Sequence, residues 1–270
     1  MYLDATVFQQ AANRVRQATR VVVFTGAGMS AESGIPTFRD AEGLWQQFPP
    51  DRFATLPGLL AFAVAQHRRV AEFLVALLEP IASAQPNAGH LAVARLEAHK
   101  SVVVVTQNID GLHQEAGSRT VYEVHGSMLR VVGRGRRLIR RLSRGELAAV
   151  VADLQAVVSG RGFAFRELLR AVAPIFSIGI TGYYRPDVVL FGEAMAEPDW
   201  SQAIEAVRNS DCLIAVGTSA TVMPAASLFD EVPQHAAVIN IDPAGGPGEL
   251  QLRGPAGAVL PALVEAACGP

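Results

Sequence analysis

The residues that can do chemistry in this 270-residue chain lie in a few short stretches. Gly26-Ala27-Gly28-Met29-Ser30-Ala31 follows the apolar run Val21–Phe24. It fits the G-x-G-x-x-G/A spacing, in which small residues permit a tight turn and let backbone amides approach a pyrophosphate. The plain alternative is a tight turn and nothing more. Gln107-Asn108-Ile109-Asp110 follows a second apolar run, Val102–Val105. Amide and carboxylate side chains at a strand end can hydrogen-bond a carboxamide, or they can simply cap a short helix. His125 ends a third strand-like run. With an ordinary pKa of about 6.5, a histidine can act as a base at neutral pH. Arg39 follows the glycine loop, where a cation can hold phosphates.

These residues need strands to carry them. Apolar runs predict strands at 21–25, 101–106, 121–124, 187–191, 212–216 and 237–241. Helical spacing predicts helices over 7–18, 58–82, 88–99, 137–158, 164–172 and 199–209, with short ones at 31–33 and 110–116. Residues 40–57, with Pro49, Pro50 and Pro57, read as irregular. Alternating strands and helices predict an α/β fold: a Rossmann-like parallel sheet with helices on both faces. That domain takes residues 1–57, 83–126 and 185–270. Residues 58–82 and 127–184 break the alternation and read as a smaller, mainly helical inserted module. An acidic residue about twenty positions after the glycine loop would mark a dehydrogenase-like site. Asp40 and Asp51 fall in irregular sequence, so a dinucleotide is not expected to bind in that way.

Composition removes several classes. The net charge of -2 gives no general pull toward nucleic acid. Seven arginines at 130, 134, 136, 137, 140, 141 and 144 suit an acidic or nucleic-acid partner, or a solvated helix face. The solvated face is favoured, opposite an apolar stripe of Leu138, Leu142, Leu147, Val150, Val151, Leu154 and Val157. The two cysteines make neither a disulfide framework nor a four-cysteine metal site, and Cys212 reads as a buried, inert thiol. The first twenty residues lack a secretory pattern, and Leu59–Ala82 is broken by charges, against a membrane span. A cytoplasmic protein is expected.

Six segments then converge. GAGMSAESGIPTFRD (26–40), TQNIDGLH (106–113), VHG (124–126), RPDVVLFGE (185–193), GTSATVMPAA (217–226) and INID (239–242) occur in this order. In these the chain resembles the sirtuin family, the NAD-dependent protein deacylases. The resemblance implies a cofactor site of Gly26, Ala27, Gly28, Ser30, Ala31, Thr37, Phe38, Arg39, Gln107, Asn108, Asp110, Gly217, Thr218, Ser219 and Asn240. It implies nicotinamide contacts from Asn108 and Asp110, and a proton-accepting role for His125 at a ribose hydroxyl. Val189, Phe191, Gly192, Glu193 and Val222 match the segments that pair with an extended acyl-lysine peptide. NAD would lie in a crevice between the two domains, and the acyl group would leave as O-acyl-ADP-ribose.

The chain departs from the family at one place. Most sirtuins carry two cysteine pairs for a structural zinc after the His-Gly, but residues 127–184 hold no cysteine or histidine. Tetrahedral zinc needs such ligands, so no zinc is expected and the module must hold itself together by helix packing. Desuccinylating members carry Tyr-x-x-Arg where Leu74 and Leu77 stand here, so neutral acyl groups are expected. Two other readings stay open: an NAD glycohydrolase or ADP-ribosyltransferase, and a non-catalytic NAD sensor.

Overall fold

The computed structural model describes residues 4–37, 43–160, 165–179 and 182–269. The chain begins with α1 (Ala5–Gln17) and β1 (Arg20–Thr25), then runs through α2 (Leu44–Gln47), α3 (Pro50–Phe53), α4 (Leu56–Ala65), α5 (His67–Ser83) and α6 (Ala88–Leu96). Next come β2 (Ser101–Thr106), α7 (Leu112–Glu115), β3 (Val121–Glu123), β4 (Gly126–Val132), β5 (Leu138–Arg141), α8 (Arg144–Ser159) and α9 (Phe165–Val172). The last part holds β6 (Ser177–Gly179), β7 (Gly182–Val188), α10 (Asp199–Arg208), β8 (Cys212–Val216), β9 (Ala237–Ile241), β10 (Leu250–Leu252) and α11 (Ala256–Cys268).

The chain divides into two compact units. The larger contains a six-stranded sheet in the order β10-β9-β8-β1-β2-β3. Its pairings are parallel, with Val21 opposite both Val102 and Cys212. Alternation along each strand builds a core on each face. Val21 and Val23 of β1 join Cys212 and Ile214 of β8 and residues of α1, α6 and α11. Val22 and Phe24 turn the other way, to Leu213, Ala203 and Val207. Burying each such side chain contributes roughly 1.5–3 kcal/mol. The Cys212 thiol is pushed up to about 12 by burial, so it stays protonated and inert.

From β1 the strands proceed to β2 and β3 on one side, and β8, β9 and β10 lie on the other. Strand order therefore reverses beside β1. Open α/β sheets bind ligands beyond the strand C-termini at such a point. Thr25, Thr106 and Val216, the last residues of β1, β2 and β8, meet there.

The smaller unit takes residues 36–84 and 126–194. Its helices include α5 packed on α8, with Leu147, Val150, Val151, Leu154 and Val157 of α8 buried. It also contains a four-stranded sheet in the order β5-β4-β7-β6, which sequence spacing did not predict. Three expectations are corrected here. Residues 138–141 are strand, not helix, because Ser143 caps the N-terminus of α8 through a capping box with Glu146. Leu138 is accordingly exposed and lies outside the apolar stripe. The strand expected at 187–191 ends at Val188; residues 36–57 and 185–194, expected in the Rossmann-like domain, group with the smaller unit, the latter because β7 pairs with β4. Residues 44–47 and 50–53, expected to be irregular, are single helical turns.

Candidate active site

Two loops leave the sheet side by side in the larger unit. Gly26 N–H donates to Val216 O at 3.0 Å, Gly28 N–H to Gly217 O at 3.0 Å, and Gly217 N–H to Ile241 O at 2.9 Å. A Cβ on Gly28 would stand 2.7 Å from Gly217 Cα, and one on Gly217 would stand 2.3 Å from Met29 N. Gly217 also has φ 59°, where side chains are strained. The bare backbone thus serves first to let two loops touch. Ala27–Met29 and Ala31–Ser33 are 3-10 turns, and residues 34–37 beyond them are not helical. Ala27 and Gly28 are half-buried and Ala31 is exposed.

Asn240, on β9, is fully buried, yet neither atom of its amide has a hydrogen-bond partner. A buried unpaired amide costs about 1–3 kcal/mol. Such a group fits a ligand that supplies hydroxyls. Near it, the buried Thr218 hydroxyl accepts from Gln107 Nε2 at 3.0 Å and Ala220 N–H at 3.1 Å. Ser219 is exposed, with its hydroxyl 3.0 Å from Thr221 Oγ1. Val222 is half-buried.

Asn108, Asp110 and Ser30 form one buried cluster. Asn108 Nδ2 donates to Gly26 O at 2.9 Å and Ser30 Oγ at 3.1 Å. A carbonyl only accepts, so this fixes the amide with Oδ1 as its remaining acceptor. Ser30 Oγ donates to Asp110 Oδ2 at 2.7 Å, and Leu112 N–H donates to Asp110 Oδ1 at 2.9 Å. The cluster therefore presents acceptors, which suits an N–H donor such as a carboxamide.

Behind it lies a chain that sequence reasoning missed. Asn108 N–H donates to Thr106 Oγ1 at 3.0 Å, and Thr25 Oγ1 donates to Thr106 Oγ1 at 2.8 Å. His113 Nε2 is 3.2 Å from Thr25 Oγ1, and the His113 ring lies 4.8 Å from that of His90. His113, the last residue of the TQNIDGLH segment, is 1% exposed. It falls on the inner side of α7, so its spacing from Asp110 was the available signal. Burial pushes His90 down to about 4 and, with His90 beside it, His113 well below its ordinary value. Both rings are neutral at pH 7.

His125 Nδ1 lies 3.0 Å from Gln107 O. The carbonyl can only accept, so Nδ1 carries the proton and Nε2 keeps its lone pair. Burial lowers the His125 pKa, partly offset by this hydrogen bond. The histidine is a neutral base with a fixed tautomer.

In the smaller unit, β7 runs into a turn at residues 189–193. Glu193 Oε2 accepts from Leu190 N–H at 3.0 Å and from Arg185 Nη2 at 2.7 Å. Phe191 N–H donates to Ala54 O at 2.9 Å, while the Phe191 ring is 49% exposed beside Trp45. Gly192 has φ 86° and is exposed, and Val189 is half-buried. Glu193 thus spends its carboxylate on shaping the turn. Thr37 is half-buried in this unit; Phe38 and Arg39 lie outside the described residues.

The model of the Sir2 family matches residues 26–224. The chain belongs to the Sir2 family. It is 37% identical over 265 residues to an NAD-dependent protein deacylase of Pseudomonas putida, covering 96% of this chain and 94% of that one. It is 38% identical to NAD-dependent protein deacylase 2 of Pyrobaculum aerophilum, covering 94% and 93%. Among solved Sir2 structures, one described by its role in the mechanism and regulation of Sir2 enzymes superposes with a TM-score of 0.76 at 33% identity, over 98% of both chains. A Sir2 homologue–NAD complex gives 0.74 at 32% identity, over 96% and 93%. The residues of this Sir2 chain fit NAD on two structural counts: the unpaired Asn240 amide and the acceptor cluster at Asn108 and Asp110. Among the described residues, no three His, Cys, Asp or Glu side chains gather as a metal site.

Proposed function

We propose that this Sir2 enzyme removes neutral acyl groups, acetyl or longer aliphatic ones, from protein lysines with His125 Nε2 as the proton acceptor. The enzyme is an NAD-dependent protein deacylase. When bound, NAD supplies a ribose carbon activated by its nicotinamide leaving group and takes up the acyl group as O-acyl-ADP-ribose. The observation that carries the proposed roles is the fixed tautomer of His125, with its free lone pair at Nε2.

Asn108 and Asp110 orient a carboxamide through their acceptor oxygens, and Ser30 holds them together. Gln107, steadied by Thr218, faces the ribose. Asn240 binds sugar hydroxyls, and the loops at Gly26–Ala31 and Gly217–Ser219 line the phosphates. Thr37, Phe38 and Arg39 complete the cofactor loop, and Arg39 supplies the cation. Val189, Phe191, Gly192 and Val222 take the extended peptide. Solved Sir2 structures include one bound to a myristoylated histone peptide, which supports an acyl-lysine substrate.

Leu74 and Leu77, half-buried on α5, support neutral acyl groups, since an apolar wall does not compensate a buried carboxylate. Zinc independence rests on a module without cysteine or histidine between 127 and 184 and held by the α5–α8 packing. Competition between acetyl-, myristoyl- and succinyl-lysine peptides tests the acyl preference. Consumption of the succinyl peptide at the acetyl rate contradicts it.

A further inference from the structure

The arginine-rich hairpin of β4 and β5 stands apart from every role assigned so far. Seven arginines and no acidic residue fall between 130 and 144. Three of the arginines, Arg130, Arg136 and Arg144, are half-buried, and the first two turn to Asp187. Arg130 Nε lies 2.9 Å from Asp187 Oδ2, and Arg136 Nη2 pairs with Asp187 Oδ1. Asp187 is 5% exposed, and it sits on β7.

The hairpin is bent to make this contact. Gly135 and Arg136 have φ 63° and 57°, so a non-glycine residue holds a left-handed backbone at the point where its side chain turns back to Asp187. Gly126 makes room for it: a Cβ there would stand 1.8 Å from Asp187 O and 3.0 Å from Arg136 Nη2. Gly126 follows His125 directly in the chain.

The array continues along β7. Arg185 and Asp187 are two residues apart on a strand, so their side chains leave the same face. Arg185 then pairs with Glu193, whose carboxylate also takes the Leu190 N–H. Arg185 is only 14% exposed. Asp187 ties β7 to the hairpin arginines, and Arg185, on the same strand, ties β7 to the turn through Glu193. The turn and the hairpin are thus each tied by ion pairs to the same strand, β7.

We infer that Arg136, Arg130, Asp187, Arg185 and Glu193 form a positioning array through which the hairpin sets the geometry of the acyl-peptide-binding turn at residues 189–193. The array does locally what a metal cross-link does elsewhere: it fixes a loop to a strand through side-chain bonds. Its residues are positioning residues, not catalytic ones, and the inference rests on the deacylase reading of that turn.

The test is steady-state kinetics of three variants with an acetyl-lysine peptide and NAD. Arg136→Gly removes the guanidinium and leaves the backbone free to keep its left-handed turn. Arg185→Met breaks the link to Glu193, and Arg185→Lys keeps a charge there. The expected result is a peptide KM raised about tenfold in Arg136→Gly and Arg185→Met, partial recovery in Arg185→Lys, and NAD KM and kcat within twofold of wild type. Peptide KM unchanged in Arg136→Gly and Arg185→Met overturns the inference, as does a parallel loss in NAD KM and kcat. Should Arg185→Met not fold, Arg136→Gly alone carries the decision. Wild-type protein that consumes no NAD with any acyl peptide overturns the deacylase reading itself, and the inference with it; wild-type turnover with unshifted variants overturns the inference alone.

Discussion

His125 illustrates how one backbone carbonyl sets a side chain's chemistry. Gln107 O accepts a hydrogen bond from Nδ1–H and leaves the Nε2 lone pair free. His125→Ala is expected to keep NAD affinity and lose deacylation by about 10²–10⁴-fold, the usual worth of a positioned base. Calorimetry and product assay together check this, and near wild-type turnover contradicts the assignment. Burial lowers the His125 pKa, so the working neutral form persists to more acid pH than for a free imidazole. The acid limb of kcat/KM is therefore expected below about pH 6.5. Asn240 offers a different signature. Its amide is unpaired in the fold, so Asn240→Ala is expected to leave Tm unchanged or higher while NAD KM rises roughly tenfold, the worth of about one hydrogen bond. A fall in Tm with unchanged NAD KM would sink that role. The candidate residues were legible because they lie in contiguous motifs. Thr25, Thr106, His113 and His90 were not, because their link is made across the sheet by parallel strand neighbours and rings from two helices.

At the scale of elements, β1, β2, β8 and β9 were legible from uninterrupted apolar runs, since a strand buried on both faces leaves that pattern. The hairpin strand β5 was not. Leu138, Ile139, Arg140 and Arg141 are all exposed, and their pairing with β4 fixes them as strand through partners several residues away. The start of α8 was written in the sequence as Ser143-Arg144-Gly145-Glu146, a capping box. Ser143→Ala is expected to lower stability by about 1 kcal/mol with NAD KM unchanged, read by urea unfolding. The glycine loop behaves as part of a loop pair. Gly217→Ala is expected to fail on both counts, with reduced stability and lost NAD binding, because its Cβ meets the backbone of Met29.

Across the whole molecule, the larger unit follows from strand order, and the smaller is held by a helix pair and a short sheet. The buried neutral pair His90 and His113 gives the larger unit a pH dependence. Both have folded pKa values below the unfolded one, so the unfolded chain takes up protons first as pH falls. Their contribution is complete above about pH 6.5 and is lost on acidification toward the folded values, at about 1.4 kcal/mol per pH unit for each proton. His90→Gln is expected to flatten this slope between pH 6.5 and 5 in urea titrations; an unchanged slope contradicts it. Mass spectrometry of the reaction products separates deacylation from NAD hydrolysis. Incubated with NAD and acetyl-lysine peptide, the enzyme is predicted to yield nicotinamide and O-acetyl-ADP-ribose only when the acylated peptide is present. Nicotinamide with free ADP-ribose and an untouched peptide would contradict deacylation and assign the chain to NAD hydrolysis.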